Sequence, residues 1–259
     1  MFIVPDAAVA AAVGMSGGVL AAAKKQLRHQ MKQRLAALPS ASVDQQSSAI
    51  FSALAAFPPY RHARRVAVFL SMPAAEVQTD AIVRHALAAG KQVFVPYLHK
   101  PGSHLAATGL QQPPPARVMD MVRLHDCADY ESLLPDRWGI PSVSPASVPN
   151  RSRILGDGDG DAPVAARALD LDLILMPGVA FDVDPASGRI RRCGHGRGFY
   201  DYFLHRYASA VSPAVHLCGL ALSEQILPNH ADKAVPTGPH DKPLDSLITG
   251  AGTIVTSLG

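Results

Sequence analysis

Cysteine is scarce in this chain: Cys127, Cys193 and Cys218 are the only three among 259 residues. A set that is odd in number and widely spaced argues against a disulfide framework and against a zinc site. It suits a reducing, intracellular compartment. Long apolar runs are also missing. None approaches the ~20 residues a membrane-spanning helix needs, so no membrane partner is expected. Long basic runs are absent as well. The formal charge of +3 comes largely from small clusters such as Arg61–Arg65 and Arg189–Arg192, which do not make a nucleic-acid tail. No RNA-binding strand signature is present, so no nucleic-acid partner is expected. The mild basic bias suits an anionic small molecule. Residues 1–23 carry no Lys or Arg, unlike a secretory signal or a mitochondrial transit peptide. Residues 1–21 therefore read as a disordered or loosely helical extension, with Met15 as an alternative start. A cytoplasmic location is expected, and the extension leaves a mitochondrial address open.

What is present is one series of strand and helix signals, with 48% hydrophobic residues to fill one substantial core. Residues 22–37 have helical apolar spacing at Leu27, Met31 and Leu35, and Pro39 stops them. A second helix is expected after Ser42 as N-cap, running to about Phe57. Residues 65–71 form a short apolar run of the kind buried on both faces of a sheet. Thr79–Asp80 caps a helix that ends at Gly90, and residues 92–96 form a second buried strand. Strand, helix, strand with short links is a parallel crossover unit. Residues 100–117 and 145–166 read as loop insertions, and residues 119–124 can return as a strand between them. The second insertion contains an Asp/Gly run at 156–160 that lacks the distal Glu of an EF-hand. Residues 171–176 make the strongest strand. A long loop follows it to Gly194, then a helix from near Gly198 to about Ala208. Another buried strand is expected at 215–221, and short late strands at 244–248 and 253–255. The reading is a single-domain α/β fold over residues 22–259, an open, mostly parallel sheet with helices on both faces. Ligands in such sheets sit beyond the carboxyl ends of the strands, which marks the loop after Met176.

That loop carries Gly194-x-Gly196-x-Gly198 just before a helix. Alternating glycines let backbone N–H groups approach phosphate oxygens, and a helix N-terminus adds positive potential. Arg192 and Arg197 flank the loop and suit a polyphosphate. The run is neither a Walker loop nor a dinucleotide fingerprint. Asp201, in the first turn of the helix, is either a dipole-favoured carboxylate or a magnesium ligand beside phosphate. Lys24 and Arg28 share one helix face, which by default is solvated. Glu76 lies just past a strand end. Trp138, the only tryptophan, is either packing or a platform for a flat ring. His195, His205 and His216 are not spaced as a metal set.

Several of these pieces together resemble one family. Residues 173–182 (Leu-Ile-Leu-Met-Pro-Gly-Val-Ala-Phe-Asp), followed by 194–201 (Gly-His-Gly-Arg-Gly-Phe-Tyr-Asp), are similar to the signature of 5-formyltetrahydrofolate cyclo-ligase, also called 5,10-methenyltetrahydrofolate synthetase. The Lys24/Arg28 helix, Phe69–Met72 with Glu76 beyond, Met119–Arg123, Trp138–Pro141, Ser223–Gln225 and Pro239–Asp241 agree in order, so the resemblance spans about residues 22–250. It implies an enzyme that converts 5-formyltetrahydrofolate and ATP to 5,10-methenyltetrahydrofolate, ADP and phosphate with Mg2+, as a monomer. Carried over by motif, Lys24, Arg28, Arg192, Gly194, His195, Gly196, Arg197 and Gly198 contact ATP. Asp201 and Asp241 hold magnesium. Leu70, Glu76, Trp138, Phe199 and Tyr200 line the folate site, Glu76 hydrogen-bonding the pterin. Arg192, Arg197 and Tyr200 are the catalytic set. Arg197 stands where the family usually has Lys, His195 where Tyr or Arg is common, Phe199 where Tyr is usual, and Cys193 where Leu is frequent. The competing reading is a catalytically silent nucleotide- or folate-binding relative, which would have little reason to keep Arg192, Arg197, Asp201 and Asp241 together.

Overall fold

The short apolar runs become the strands of one central sheet. A computed structural model describes residues 17–101, 116–156, 168–211, 215–228 and 234–257. The expected Asp/Gly run, apart from Gly156, and most of the first insertion lie outside them. In chain order the strands are β1 (Arg65–Ala67), β2 (Gln92–His99), β3 (Val118–Leu124), β4 (Leu134–Pro135), β5 (Pro141–Ser142), β6 (Leu173–Met176), β7 (Ala180–Val183), β8 (Ile190–Cys193), β9 (His216–Ala221), β10 (Ser246–Thr249) and β11 (Ile254–Thr256). The helices are α1 (Gly17–Ala36), α2 (Ser40–Ala56), α3 (Pro58–His62), α4 (Asp80–Ala88), α5 (Cys127–Glu131) and α6 (Phe199–Ala210).

Seven strands form the main sheet in the order β11-β10-β9-β6-β1-β2-β3. The five inner strands are parallel, and β3 and β11 close the two edges antiparallel. Side chains alternate across the sheet with the period of two that a pleated strand imposes. Val66, Val95 and Leu173 enter one core cluster, while Ala67, Phe94 and Ile174 enter the other. Burial on both faces explains the unbroken apolar runs. Ile50 and Leu54 of α2, Tyr60 of α3 and Ile82 and Val83 of α4 cover the first face. Phe203, Leu204 and Tyr207 of α6 cover the second. Met31 of α1 packs in a smaller cluster with Val179, Ala180 and Cys193.

Several boundaries differ from the sequence reading. The first helix is already formed at Gly17, the first described residue, ahead of residue 22. The second begins at Ser40, with Pro39 as N-cap, and Ser42 instead accepts a bond from the Gln46 amide. Thr79 does cap α4 in position, but its hydroxyl donates to the Phe69 carbonyl. It therefore ties α4 to the loop after β1 rather than closing the helix end. The stretch after Met176, read as a long loop, contains the β7–β8 hairpin. Its turn is held by Asp184, which accepts from Ala186 N–H and the Ser187 hydroxyl. Polar Asp182, Arg191 and Arg192 break its apolar pattern, so periodicity alone missed it. Of the stretch expected as a second insertion, residues 145–156 are described. They form a 3-10 turn at Pro145–Asn150, and Ile154 and Leu155 are fully buried.

The topology positions the site. From β1 the chain crosses to β2 on one side, and from β6 to β9 on the other. The order reverses between β1 and β6, so the loops leaving their carboxyl ends diverge and open a crevice. The loop after β1 carries Leu70 and Glu76. The loop after β6 carries the hairpin and the glycine-arginine run.

Candidate active site

The crevice is built from two strand ends and closed by a helix. At the β6 end, Pro177–Gly178 turns the chain into β7. Gln225, buried in the 3-10 turn Ser223–Gln225, holds that turn. Its amide donates to Gly178 O at 2.5 Å and its carbonyl accepts Leu222 N–H at 2.8 Å. A Cβ on Gly178 would lie 2.6 Å from Phe181 Cζ and 3.1 Å from Arg192 Cγ, so only glycine lets the strand end pack this closely on Arg192. Asp182 is also buried. It accepts both arms of Arg191 at 2.7 and 2.8 Å, and Val235 N–H at 2.7 Å. This carboxylate pins the hairpin to the segment that leads to Asp241.

The glycine run follows β8. Gly196 and Gly198 have φ of +97° and +67°, and Gly198 is the N-cap of α6. Side chains other than glycine rarely adopt this left-handed backbone. Arg28 of α1 lies against the loop, with Nε donating to Gly194 O at 2.8 Å. Lys24, one turn earlier, reaches both oxygens of Asp241 at 2.5 and 2.6 Å. The default expectation of a solvated face for Lys24 and Arg28 is thus overturned, because both turn inward to the loop and to residue 241. Arg192 is buried. It donates to Pro177 O at 3.1 Å and to both Asp201 oxygens at 3.0 Å. Its Nε has no partner among the described residues. Arg197 is exposed and makes no ion pair among the described residues.

Asp201 therefore neither bonds the helix N-terminus nor stands open. It is paired with Arg192 and lies 3.5 Å from the Lys242 N–H that donates to it. That contact brings Asp201 to the backbone at Lys242, while the Asp241 carboxylate is held by Lys24 and by Gly238 N–H at 2.6 Å. Among the described residues no group of three or more His, Cys, Asp or Glu gathers for a metal. Asp201 and Asp241 are the donor type magnesium takes, one or two carboxylates plus phosphate oxygens and water, although each is paired here with a cation, Arg192 and Lys24.

The other wall comes from the loop after β1. Glu76 is 6% exposed. Its Oε2 accepts Met72 N–H at 2.9 Å, and Oε1 lies 3.5 Å from His195 Nε2. Tyr200, at the start of α6, buries its hydroxyl without a partner among the described residues. The Arg192 guanidinium sits 5.8 Å from its ring. Burial pushes the Tyr200 phenol far above its ordinary value; Arg192 opposes the shift and Glu76 adds to it. A phenol so placed stays protonated near neutrality and can donate a hydrogen bond. Burial likewise raises the Cys193 thiol, with Arg28 and Lys24 opposing, so this cysteine is not poised as a nucleophile. Leu70 is buried in the first core cluster, and Phe199 packs at the edge of the second. Trp138 is 52% exposed, with the Arg137 guanidinium 3.8 Å from its ring. The backbone beside it packs on the Glu76 loop, since a Cβ on Gly139 would meet Pro73 Cγ at 2.7 Å.

Contacts thus link Lys24, Arg28, Glu76, Arg192, His195, Asp201 and Asp241 across three segments: α1, the loop after β1, and the stretch from β8 to α6 with residue 241, while Leu70 lies in the first core cluster and Trp138 is exposed. Sequence reasoning gave no role to Gln225, Asp182 or Gly178, although each lies in a quoted motif. A polar residue beside a strand end, with no charge partner in sequence, was the available signal.

Comparison with known proteins identifies the family. A sequence model described as the 5-formyltetrahydrofolate cyclo-ligase family matches residues 20–250. The chain is 32% identical over 235 residues to a probable 5-formyltetrahydrofolate cyclo-ligase of Caenorhabditis elegans, covering 90% of this chain and 95% of that one. It is 30% identical over 231 residues to the probable enzyme of Schizosaccharomyces pombe, covering 87% and 94%. In fold it is similar to the NMR structure of Aquifex aeolicus 5,10-methenyltetrahydrofolate synthetase, with a TM-score of 0.56 and 20% identity, over 92% of each chain.

Proposed function

The chain belongs to the 5-formyltetrahydrofolate cyclo-ligase family, and on that premise we propose that it closes 5-formyltetrahydrofolate to 5,10-methenyltetrahydrofolate at the expense of ATP. One observation carries the reading. The glycine-arginine loop and the buried Glu76 approach each other, at 3.5 Å from His195 to Glu76, which supports a nucleotide site adjoining a site for a flat polar ring.

The reaction needs that adjacency. An amide-like formyl oxygen is a poor leaving group. Its attack on the terminal phosphorus of ATP breaks the P–O bond to ADP and turns the oxygen into a phosphate ester. N10 then bonds to the activated carbon, the C–O bond breaks, and phosphate departs with the formyl oxygen as the N10 proton is lost. Phosphoryl transfer of this kind depends on positioning and charge neutralisation. The exposed Arg197, with Lys24, Arg28 and the loop N–H groups, suits the phosphates. Arg192, committed to Pro177 and Asp201, suits holding the loop in shape and lending its positive charge to the transferring group. Glu76 suits the N–H groups of the pterin, and the Tyr200 hydroxyl is a donor awaiting an acceptor. Leu70, Phe199 and Trp138 suit the apolar walls and rim. Asp201 and Asp241 would hold Mg2+ with the nucleotide, where the ion neutralises phosphate charge.

We further propose a monomer, and a cytoplasmic location that its three free cysteines support. No described helix is long and apolar enough to cross a membrane. Purified protein with 5-formyltetrahydrofolate and Mg-ATP should give the absorbance rise of the methenyl product, and none without ATP. Binding of both ligands without any turnover would instead identify a silent relative.

A further inference from the structure

Glu76 is a buried carboxylate with little to hold it. Among the described residues it accepts one hydrogen bond, from Met72 N–H to Oε2. The polar neighbour of Oε1 is His195 Nε2 at 3.5 Å, which is beyond a well-formed bond. His195 rides on the glycine loop between Gly194 and Gly196, and its side chain is 46% exposed. It contributes little packing, so its proximity to Glu76 is its main structural relation. The contact joins the loop after β1 to the loop that meets phosphate, two segments that also approach each other through Tyr200.

We propose that His195 is a positioning residue that couples the two halves of the site, so that nucleotide binding tightens folate binding and the reverse. The inference rests on the reading above. Nucleotide phosphates fix the loop, whose glycines otherwise leave it several backbone states. A fixed loop moves His195 Nε2 the few tenths of an ångström needed to donate to Glu76 Oε1. The carboxylate is then held at both oxygens, by Met72 N–H and by His195, and faces the pterin in one orientation. A carboxylate with one anchor must lose that freedom when folate binds, at a cost that the nucleotide-bound state has already met. Coupling of this kind is reciprocal for the two ligands. It needs no new contact between them, because ordering by the first lowers the cost to the second.

The test is calorimetric binding of 5-formyltetrahydrofolate to the full chain, alone and with a saturating non-hydrolysable ATP analogue and Mg2+. The ratio of the two dissociation constants is the coupling factor, expected at about tenfold for the natural chain. His195→Phe keeps a ring but no donor, and the factor should fall to about one. His195→Gln restores a donor of similar reach and should recover much of it. A structural or simple wall role would weaken folate equally with and without nucleotide and leave the ratio unchanged, which overturns the proposal. So does a factor of one in the natural chain that binds both ligands. A natural chain that binds neither ligand refutes the functional reading itself, and the coupling falls with it.

Discussion

Arg192 and Arg197 lie five positions apart and the sequence treats them as a pair, yet their surroundings divide the work. Arg192 is 5% exposed and bonded to Asp201 and Pro177, while Arg197 lies in solvent. Arg197→Ala should therefore lower kcat/KM by about 10²–10³, the scale of losing one donor to a developing charge. It should leave the melting temperature nearly unchanged, as exposed substitutions shift stability within about 0.5 kcal/mol. Arg192→Ala should lower both, with a stability loss of roughly 3 kcal/mol because it strips a half-buried carboxylate of its partner. Kinetics and urea unfolding on the same two proteins check this; equal stability losses would refute the division. Residue identity alone could name these arginines as phosphate binders. It could not tell which one is spent on structure, because that depends on where Asp201 lands when α6 folds back on the hairpin.

At the scale of elements, strands were legible where both faces are buried and the apolar run is unbroken, as at residues 173–176. The β7–β8 hairpin was not, because it is half polar and its charges pair across the turn. The edge formed by β3 shows how a distant element is secured without any part in the site. Asp129 of α5 takes two bonds from Arg151, both at 2.5 Å, and one from His125 N–H. The Arg151 bonds are the chief reason its carboxyl titrates below the ordinary value, burial opposing. A carboxylate depressed in the folded state stabilises above its unfolded pKa of about 3.9 and loses that contribution as pH falls through its lower folded value. Asp129→Asn should cost roughly 3 kcal/mol at pH 7, and the gap to the natural chain should close as pH drops below about 4. Urea midpoints at both pH values test this; a gap that stays constant would show that the charge is not what matters. Catalytic constants at pH 7 and subdenaturing temperature should not change.

For the whole molecule, the order of strands decides where chemistry can happen. The sheet reverses direction of construction between β1 and β6, and a crevice at that point follows from the crossovers rather than from any one residue. The sequence made the open α/β sheet and the loop after Met176 legible, since both follow from burial pattern and chain order. It left unread the partners across the crevice, Lys24 with Asp241 and His195 with Glu76, because those pairs are separated by 217 and 119 residues and only the folded topology brings them together. The central claim is that this crevice activates a formyl oxygen with ATP. The most direct measurement uses 5-formyltetrahydrofolate labelled with oxygen-18 in the formyl group, turned over with Mg-ATP and followed by mass spectrometry of the released phosphate. The account predicts one labelled oxygen in each phosphate, formed one for one with the methenyl product. Methenyl product accompanied by unlabelled phosphate, with the label in water, would contradict it.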